Sequence, residues 1–193
     1  MPQKNKVAFI SGGASSEARL LAQELLKNGW HIGVTAPENI PEHTVPHCFH
    51  AEKANPSDTG ELSAAVIRTA ETFGGIDSLI YCNIESARYH MILDIDAEEW
   101  DRIFSGYLKG FFLACKCAIP YMLGRERASI LLLLPEGKGG GVHETARAIA
   151  GKQMAELVEK ELSPYSLSVK CISLPQKEEL DSWIQEETGS NKA

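Results

Sequence analysis

The chain has 193 residues, 44% of them apolar, with 26 acidic against 19 basic side chains and a net charge of −7. That length reads as one domain, 1–193, with apolar content sufficient for a sizeable core. The negative balance argues against nucleic acid and against an anionic membrane as partners. No apolar run has the length of a bilayer span or the form of a secretory leader, so the expected location is the cytoplasm.

The first unit, Lys6 to Ala36, reads as strand, helix, strand. Val7-Ala8-Phe9-Ile10 is a buried strand and Ser11-Gly12-Gly13 a turn. Ser15-Ser16-Glu17 opens a helix that Gly29 stops, and His31 to Thr35 forms the second strand. Such a unit can rest a dinucleotide pyrophosphate on its helix N-terminus. Here, however, only Gly12 and Gly13 remain where glycines let backbone approach phosphate, and Ser16 and Ala18 fill the later positions. Glu17 adds a carboxylate that suits the helix dipole and repels a phosphate. The turn is read as a packing element, with no cofactor-binding role expected for Ser11, Gly12 or Gly13.

Three prolines, Pro37, Pro41 and Pro46, rule out a helix after the second strand, and Glu38 sits among them rather than at the strand tip where a ribose-holding acid belongs. His47 to His50 reads as a short third strand. His43, His47 and His50 lack the convergent spacing of metal ligands, and no metal is expected. Asp58 caps a helix carrying Leu62, Ala65, Val66, Ala70 and Phe73, which Gly74-Gly75 ends. Ser78 to Tyr81 is the fourth strand, and Asn83-Ile84-Glu85 starts the loop beyond it.

The longest helical signal runs from Ala97 to Gly124. Trp100, Phe104, Tyr107, Phe111, Cys115, Ala118 and Met122 make one apolar stripe. Ile103, Leu108, Phe112 and Ile119 make a second. A helix on a sheet needs one apolar face, so two point either to a deeply buried helix with a broad core face or to a subunit interface, the reading preferred. A fifth strand, Ile130 to Leu134, leads into a glycine-rich loop, and a helix follows with Ala146, Ile149, Ala150, Met154, Leu157 and Val158 on its apolar side. Ser166 to Leu174 holds the last strand, and Glu178 to Glu187 a short helix with Leu180, Trp183 and Ile184. The five cysteines, odd in number, read as thiols rather than disulfides, and Cys115 and Cys117, two apart on a helix, point in different directions.

Strands and helices alternate without a break, which makes an α/β, doubly wound parallel sheet of about six strands. Ligands bind past the carboxyl ends of strands in such sheets. Past Leu134 the chain offers Pro135, Glu136 and Lys138, with no serine, cysteine or tyrosine, and the next helix brings Ala148 toward that mouth.

Order and spacing resemble the short-chain dehydrogenase/reductase family over roughly Lys6 to Leu174. The stretches that carry the resemblance are KVAFISGGASSEARLLAQELLKNGW, FGGIDSLIYCNI, EEWDRIFSGYLKGFFLACKCAIPYML, ASILLLLPEG, and the helix with Lys152. Trp100, Leu108, Gly110, Pro120 and Met122 match that family's long helix. The resemblance implies a Rossmann-like fold and NAD-linked oxidoreduction, and it marks departures. The family's Thr-Gly-x-x-x-Gly-x-Gly becomes Ser11 to Ala18, its Asn-Asn-Ala-Gly becomes Tyr81-Cys82-Asn83-Ile84, and its helix asparagine becomes Tyr107. Pro135 or its neighbour Leu134 stands for the catalytic serine and Ala148 for the catalytic tyrosine. Lys152 survives as a relic, with no proton to manage because alanine has none. No aspartate lies between His50 and Asn55 to contact adenine. Family members continue past strand six with a substrate lid, which this chain is too short to build.

The expected function is therefore that of a pseudoenzyme: a non-catalytic subunit of a hetero-oligomeric short-chain dehydrogenase, stabilising a catalytic paralogue, with anaerobic aromatic acyl-CoA β-oxidation as a candidate setting. NAD is expected in the partner and no cofactor in this subunit. A homodimer is a further possibility. The expected interface comprises Trp100, Phe104, Tyr107, Phe111, Phe112, Cys115, Met154 and Val158. The alternative is an NAD(P)-sensing protein without turnover. An enzyme using His143 or Tyr81 as acid/base is a third reading; His143 lies more than about one helical turn from Ala148 and cannot simply replace the tyrosine.

Overall fold

A computed structural model describes residues 5–36, 47–84, 90–135, 141–174 and 176–189. Glu38, His43, Glu85, Glu136 and Lys138 lie outside the described residues. Six strands, β1 (Val7–Ser11), β2 (His31–Ala36), β3 (Phe49–Lys53), β4 (Ser78–Tyr81), β5 (Ala128–Leu134) and β6 (Leu167–Ser173), form one sheet in the order β3-β2-β1-β4-β5-β6. Every pairing is parallel. Parallel strands buried on both faces need continuous apolar sequence, which β1 and β5 supply: every residue of both is buried.

Strand residues alternate between two cores. Phe9, Leu79, Ile130 and Leu132 pack on one face against α2 (Thr59–Phe73), α4 (Gly110–Met122) and α5 (Val142–Leu162). Ile10, Ile80, Leu131 and Leu133 pack on the other against α1 (Ser16–Lys27) and α6 (Lys177–Thr188), where Leu180, Trp183 and Ile184 close the core. The expected caps form: Ser15 Oγ accepts from Ala18 N, Asp58 accepts from Glu61 N, and Gly74 ends α2 in the left-handed region. At the sheet end opposite the mouth, Asp77 accepts two hydrogen bonds from Arg125, at 2.7 and 2.6 Å, and one from Val7 N at 2.8 Å, which fastens the starts of β1 and β4 to the end of α4.

Two expectations are corrected. The third strand runs from Phe49 to Lys53, pairing with Ile32–Ala36, rather than from His47 to His50. Glu52 explains the shift, because its carboxylate is held by Arg68 of α2 and by His50, which fixes the later residues to the sheet. The helix expected over 97–124 is interrupted: α3 (Ala97–Phe104) passes through a π-helical turn, Ser105–Lys109, into α4. At this turn the Gly106 carbonyl accepts from Tyr81 Oη and from Asn83 Nδ2, so β4 supplies donors where the helix ladder widens.

Candidate active-site crevice

Strand order reverses between β1 and β4, so a ligand crevice belongs past their carboxyl ends. Its floor is Gly12, Gly13, Cys82 and Asn83. Gly12 has φ +93°, and a Cβ there would lie 2.5 Å from Asn83 N; a Cβ on Gly13 would lie 2.2 Å from Val34 Cγ2. Both glycines are thus required by the protein's own packing. Their amides both donate to Thr35 O, at 3.0 and 2.8 Å. The α1 N-terminus is capped from within, since Ser15 Oγ takes Ala18 N at 3.0 Å. Burial, with a smaller contribution from the Glu17 charge, raises the Cys82 thiol far above its ordinary range. Glu17 thus adds a carboxylate in the first turn of α1, at the helix end where a phosphate would need donors.

On the β5 side, Pro135 is buried, Ala148 is half-buried and Lys152 is exposed. The space between α4, α5 and the sheet is filled by two tyrosines. Tyr81 and Tyr107 meet edge-on with ring centroids 6.2 Å apart, and Phe111 lies 5.7 Å from Tyr81. Tyr107 Oη donates to Leu133 O at 2.9 Å. Two glycines make room for them: a Cβ on Gly110 would lie 2.0 Å from Tyr81 Oη, and one on Gly151 2.7 Å from Tyr107 Cε1. Burial raises both phenols far above the usual range, so neither can accept a proton as phenolate near neutral pH. Tyr81 is also fully buried, and its hydroxyl is committed to the Gly106 carbonyl. His143 is fully buried, and its Nε2 lies 4.0 Å from Glu99 of α3.

The faces of α5 are the reverse of the usual pattern. His143, Glu144, Arg147, Gly151 and Ala155 point inward. Arg147, 1% exposed, pairs with Glu144 at 3.0 Å and lies over the Tyr107 ring at 5.5 Å. Val142, Ile149 and Leu157 are 51, 62 and 59% exposed. The expected interface set is corrected accordingly. Tyr107, Phe111 and Cys115, at 1, 0 and 5% exposure, belong to the chain's own core. Met154 and Val158 are half-buried against that core. Phe112, Trp100 and, in part, Phe104 remain outward, with Trp100 and Phe104 stacked at 4.3 Å. The tyrosine pair, the inward Arg147 and the outward Val142 escaped the sequence reading. The only sequence signal for them was a charged stripe at 143, 144 and 147 on the helix side opposite Ile149.

A polar cavity of about 470 Å³ lies past β3 and β4, lined by Lys53, Asn55, Glu61, Asn83, Arg102 and Ser105. An open apolar groove of about 640 Å³ lies between Met91-Ile92 and the start of α5. Among the described residues no group of three His, Cys, Asp or Glu side chains could hold a metal, and no helix is long and apolar enough to cross a membrane.

Sheet order and crevice together define a doubly wound α/β protein of the dinucleotide-binding type. The family model for short chain dehydrogenase matches residues 6–176, and the chain belongs to that family. It is similar to 2-(R)-hydroxypropyl-CoM dehydrogenase of Xanthobacter autotrophicus, 28% identical over 62% of this chain and 52% of that protein. It is also similar to zerumbone synthase of Zingiber zerumbet, 27% identical over 90% of this chain and 69% of that protein. The chain thus spans from about half to about two thirds of the length of these relatives. A short-chain dehydrogenase/reductase variant from Serratia marcescens superimposes with a TM-score of 0.82 at 19% identity, covering 97% of this chain and 91% of that one. A 3-ketoacyl-(acyl-carrier-protein) reductase from Brucella melitensis, complexed with NADH, gives a TM-score of 0.79 at 20% identity, over 88% and 75% of the two chains.

Proposed function

We propose that this chain is a non-catalytic member of its family that pairs with a catalytic short-chain dehydrogenase and supports the partner's active conformation. The observation that carries the reading is the composition of α5. Where the family resemblance expects a proton-transferring tyrosine, Ala148 offers no titratable group, while Val142, Ile149 and Leu157 stand outward on the same helix. An acid/base residue needs a proton within hydrogen-bond reach of the reacting group. An exposed apolar stripe on a helix favours a protein neighbour.

A dinucleotide does not fit the described residues. The glycine amides bond to Thr35, the α1 cap is internal, and Glu17 puts a carboxylate in the first turn of α1. The cofactor of such a pair then resides in the partner. In its logic the pairing is similar to the inactive subunit of 2-(hydroxyphenylmethyl)succinyl-CoA dehydrogenase, in anaerobic aromatic acyl-CoA β-oxidation. The second reading, NAD(P) sensing without turnover, is favoured by the polar cavity with Lys53 and Arg102. Co-expression with complete short-chain dehydrogenases as candidate catalytic partners tests the first reading. A stable complex is expected by co-purification and native mass spectrometry, and Phe112→Asp, whose side chain is 47% exposed, should dissolve it without unfolding the chain. No complex, or one indifferent to Phe112→Asp, contradicts the reading. Phe111→Asp is no test of the interface, because Phe111 is fully buried and its charge would unfold the chain.

A further inference from the structure

His143 is a buried side chain left without a partner. It is fully buried near the start of α5, and among the described residues neither ring nitrogen makes a hydrogen bond. Buried polar atoms are nearly always paired, and an unpaired one costs stability. A carboxylate stops just short of it: Glu99 Oε1 of α3 lies 4.0 Å from His143 Nε2, and the Glu99 side chain is 17% exposed. Among the described residues no other charged group lies within ion-pair distance of that carboxylate.

The remaining ionisable groups around the imidazole leave Glu99 as its counter-charge. On α5 itself, Glu144 and Arg147 are paired with each other at 3.0 Å. Tyr107, whose ring lies under Arg147, is kept neutral by burial, which raises its phenol well above the usual range. The other charged side chains of α3, Glu98, Asp101 and Arg102, are exposed. His90 belongs to the segment that crosses Gly141, where an added Cβ would lie 2.6 Å from the His90 carbonyl and 2.9 Å from the His143 ring.

The helix that carries Glu99 is lightly attached. Of the eight residues of α3, Ile103 alone is buried. A 3-10 turn, Ile92–Asp94, precedes it and the π-helical turn Ser105–Lys109 follows it. Short turns of these two kinds commonly mark hinges and functional sites. An advance of Glu99 by about 1 Å brings the pair to the separation of a charge-assisted hydrogen bond. The same advance carries Met91 and Ile92, one wall of the apolar groove, toward Val142, Ala146 and Ile149 on the other.

We infer that His143 and Glu99 form an acid-set latch: a proton gained by His143 draws Glu99 into an ion pair, which fastens α3 to α5 and narrows the groove between Met91-Ile92 and α5. Imidazole is the side chain that gains a proton in the mildly acid range. The latch is a property of the chain alone and does not depend on the pairing reading. Where α5 meets a partner, closure would cover Val142 and Ile149, two of the outward residues that reading uses.

Hydrogen exchange and NMR of the full chain alone, between about pH 7.5 and about pH 5.5, test this, with exchange corrected for its intrinsic rate at each pH. The α3 amides should gain several-fold protection toward acid while those of α2 do not, with a midpoint that coincides with the titration of the His143 ring signals. The methyl signals of Ile92 and Ile149 should shift over the same range. His143→Gln and Glu99→Gln should each abolish this pH dependence, and His90→Gln should keep it. If His143→Gln does not fold, Glu99→Gln, at a partly exposed position, decides. Protection of α3 that stays flat or falls as His143 gains its proton overturns the inference, as does a His143 ring that stays neutral down to about pH 5.5. A pH dependence that survives Glu99→Gln, or that vanishes with His90→Gln, overturns it as well.

Discussion

Two glycine–tyrosine contacts hold the crevice closed at the scale of single residues. Alanine normally favours a helix over glycine by about 1 kcal/mol, but at Gly110 the added Cβ would lie 2.0 Å from Tyr81 Oη. Gly110→Ala should destabilise the chain by about 1–3 kcal/mol. In a Tyr81→Phe background the nearest ring atom is Cζ, at 3.1 Å, and most of that penalty should vanish. Urea midpoints of the four chains check the coupling, and additive effects would contradict it. Glu52 provides a pH-dependent contact. The hydrogen bond from Arg68 holds its carboxyl below the usual carboxylate range, against the opposing effect of burial. A depressed folded value means that the stabilisation is present above the unfolded value and is lost as pH falls through the folded one. Arg68 is 55% exposed, so the contribution is at most about 1 kcal/mol. The advantage of wild type over Glu52→Gln should be seen at pH 7 and gone below about pH 4 in thermal melts; an advantage that grows toward acid would contradict the assignment.

The element that departs most from its pattern is α5. A helix on a sheet ordinarily turns its apolar stripe inward, and the sequence was read that way. Instead the inward positions hold His143, Glu144 and Arg147, and the pair Glu144–Arg147 is buried with the Tyr107 ring beneath the guanidinium. Periodicity identifies a stripe but not which of two stripes faces the sheet, and Arg147 is long enough to pack its stem while its head finds a carboxylate and a ring. Removing one member of such a buried pair leaves the other charge with less support, so Arg147→Leu should cost about 3 kcal/mol despite its apolar side chain. A neutral or stabilising result in urea unfolding would show that the pair is dispensable. By contrast the caps at Ser15 and Asp58 and the stop at Gly74 were legible, because each is a local hydrogen-bonding requirement with a distinctive side chain. The π-helical turn at Ser105–Lys109 was not, since its cause is a pair of donors, Tyr81 and Asn83, more than twenty residues away.

At the scale of the molecule, the doubly wound topology and the six parallel strands were legible from alternating strands and helices, because parallel connections leave few alternatives, while the strand order came only with the structure. The crevice was legible only by position. Its chemistry depended on which side chains fill it, and the tyrosine pair became visible only once β4, α4 and α5 were packed together. The proposed function turns on the expectation that this packing, the internally bonded glycine turn and Glu17 leave no seat for a nicotinamide dinucleotide. Titration calorimetry of the full chain with NADH tests it most directly. The account predicts no saturable heat up to about 1 mM, which corresponds to binding no stronger than about −4 kcal/mol. Saturable one-to-one binding, with the nicotinamide ordered beside a proton donor in a crystal of that complex, would contradict it.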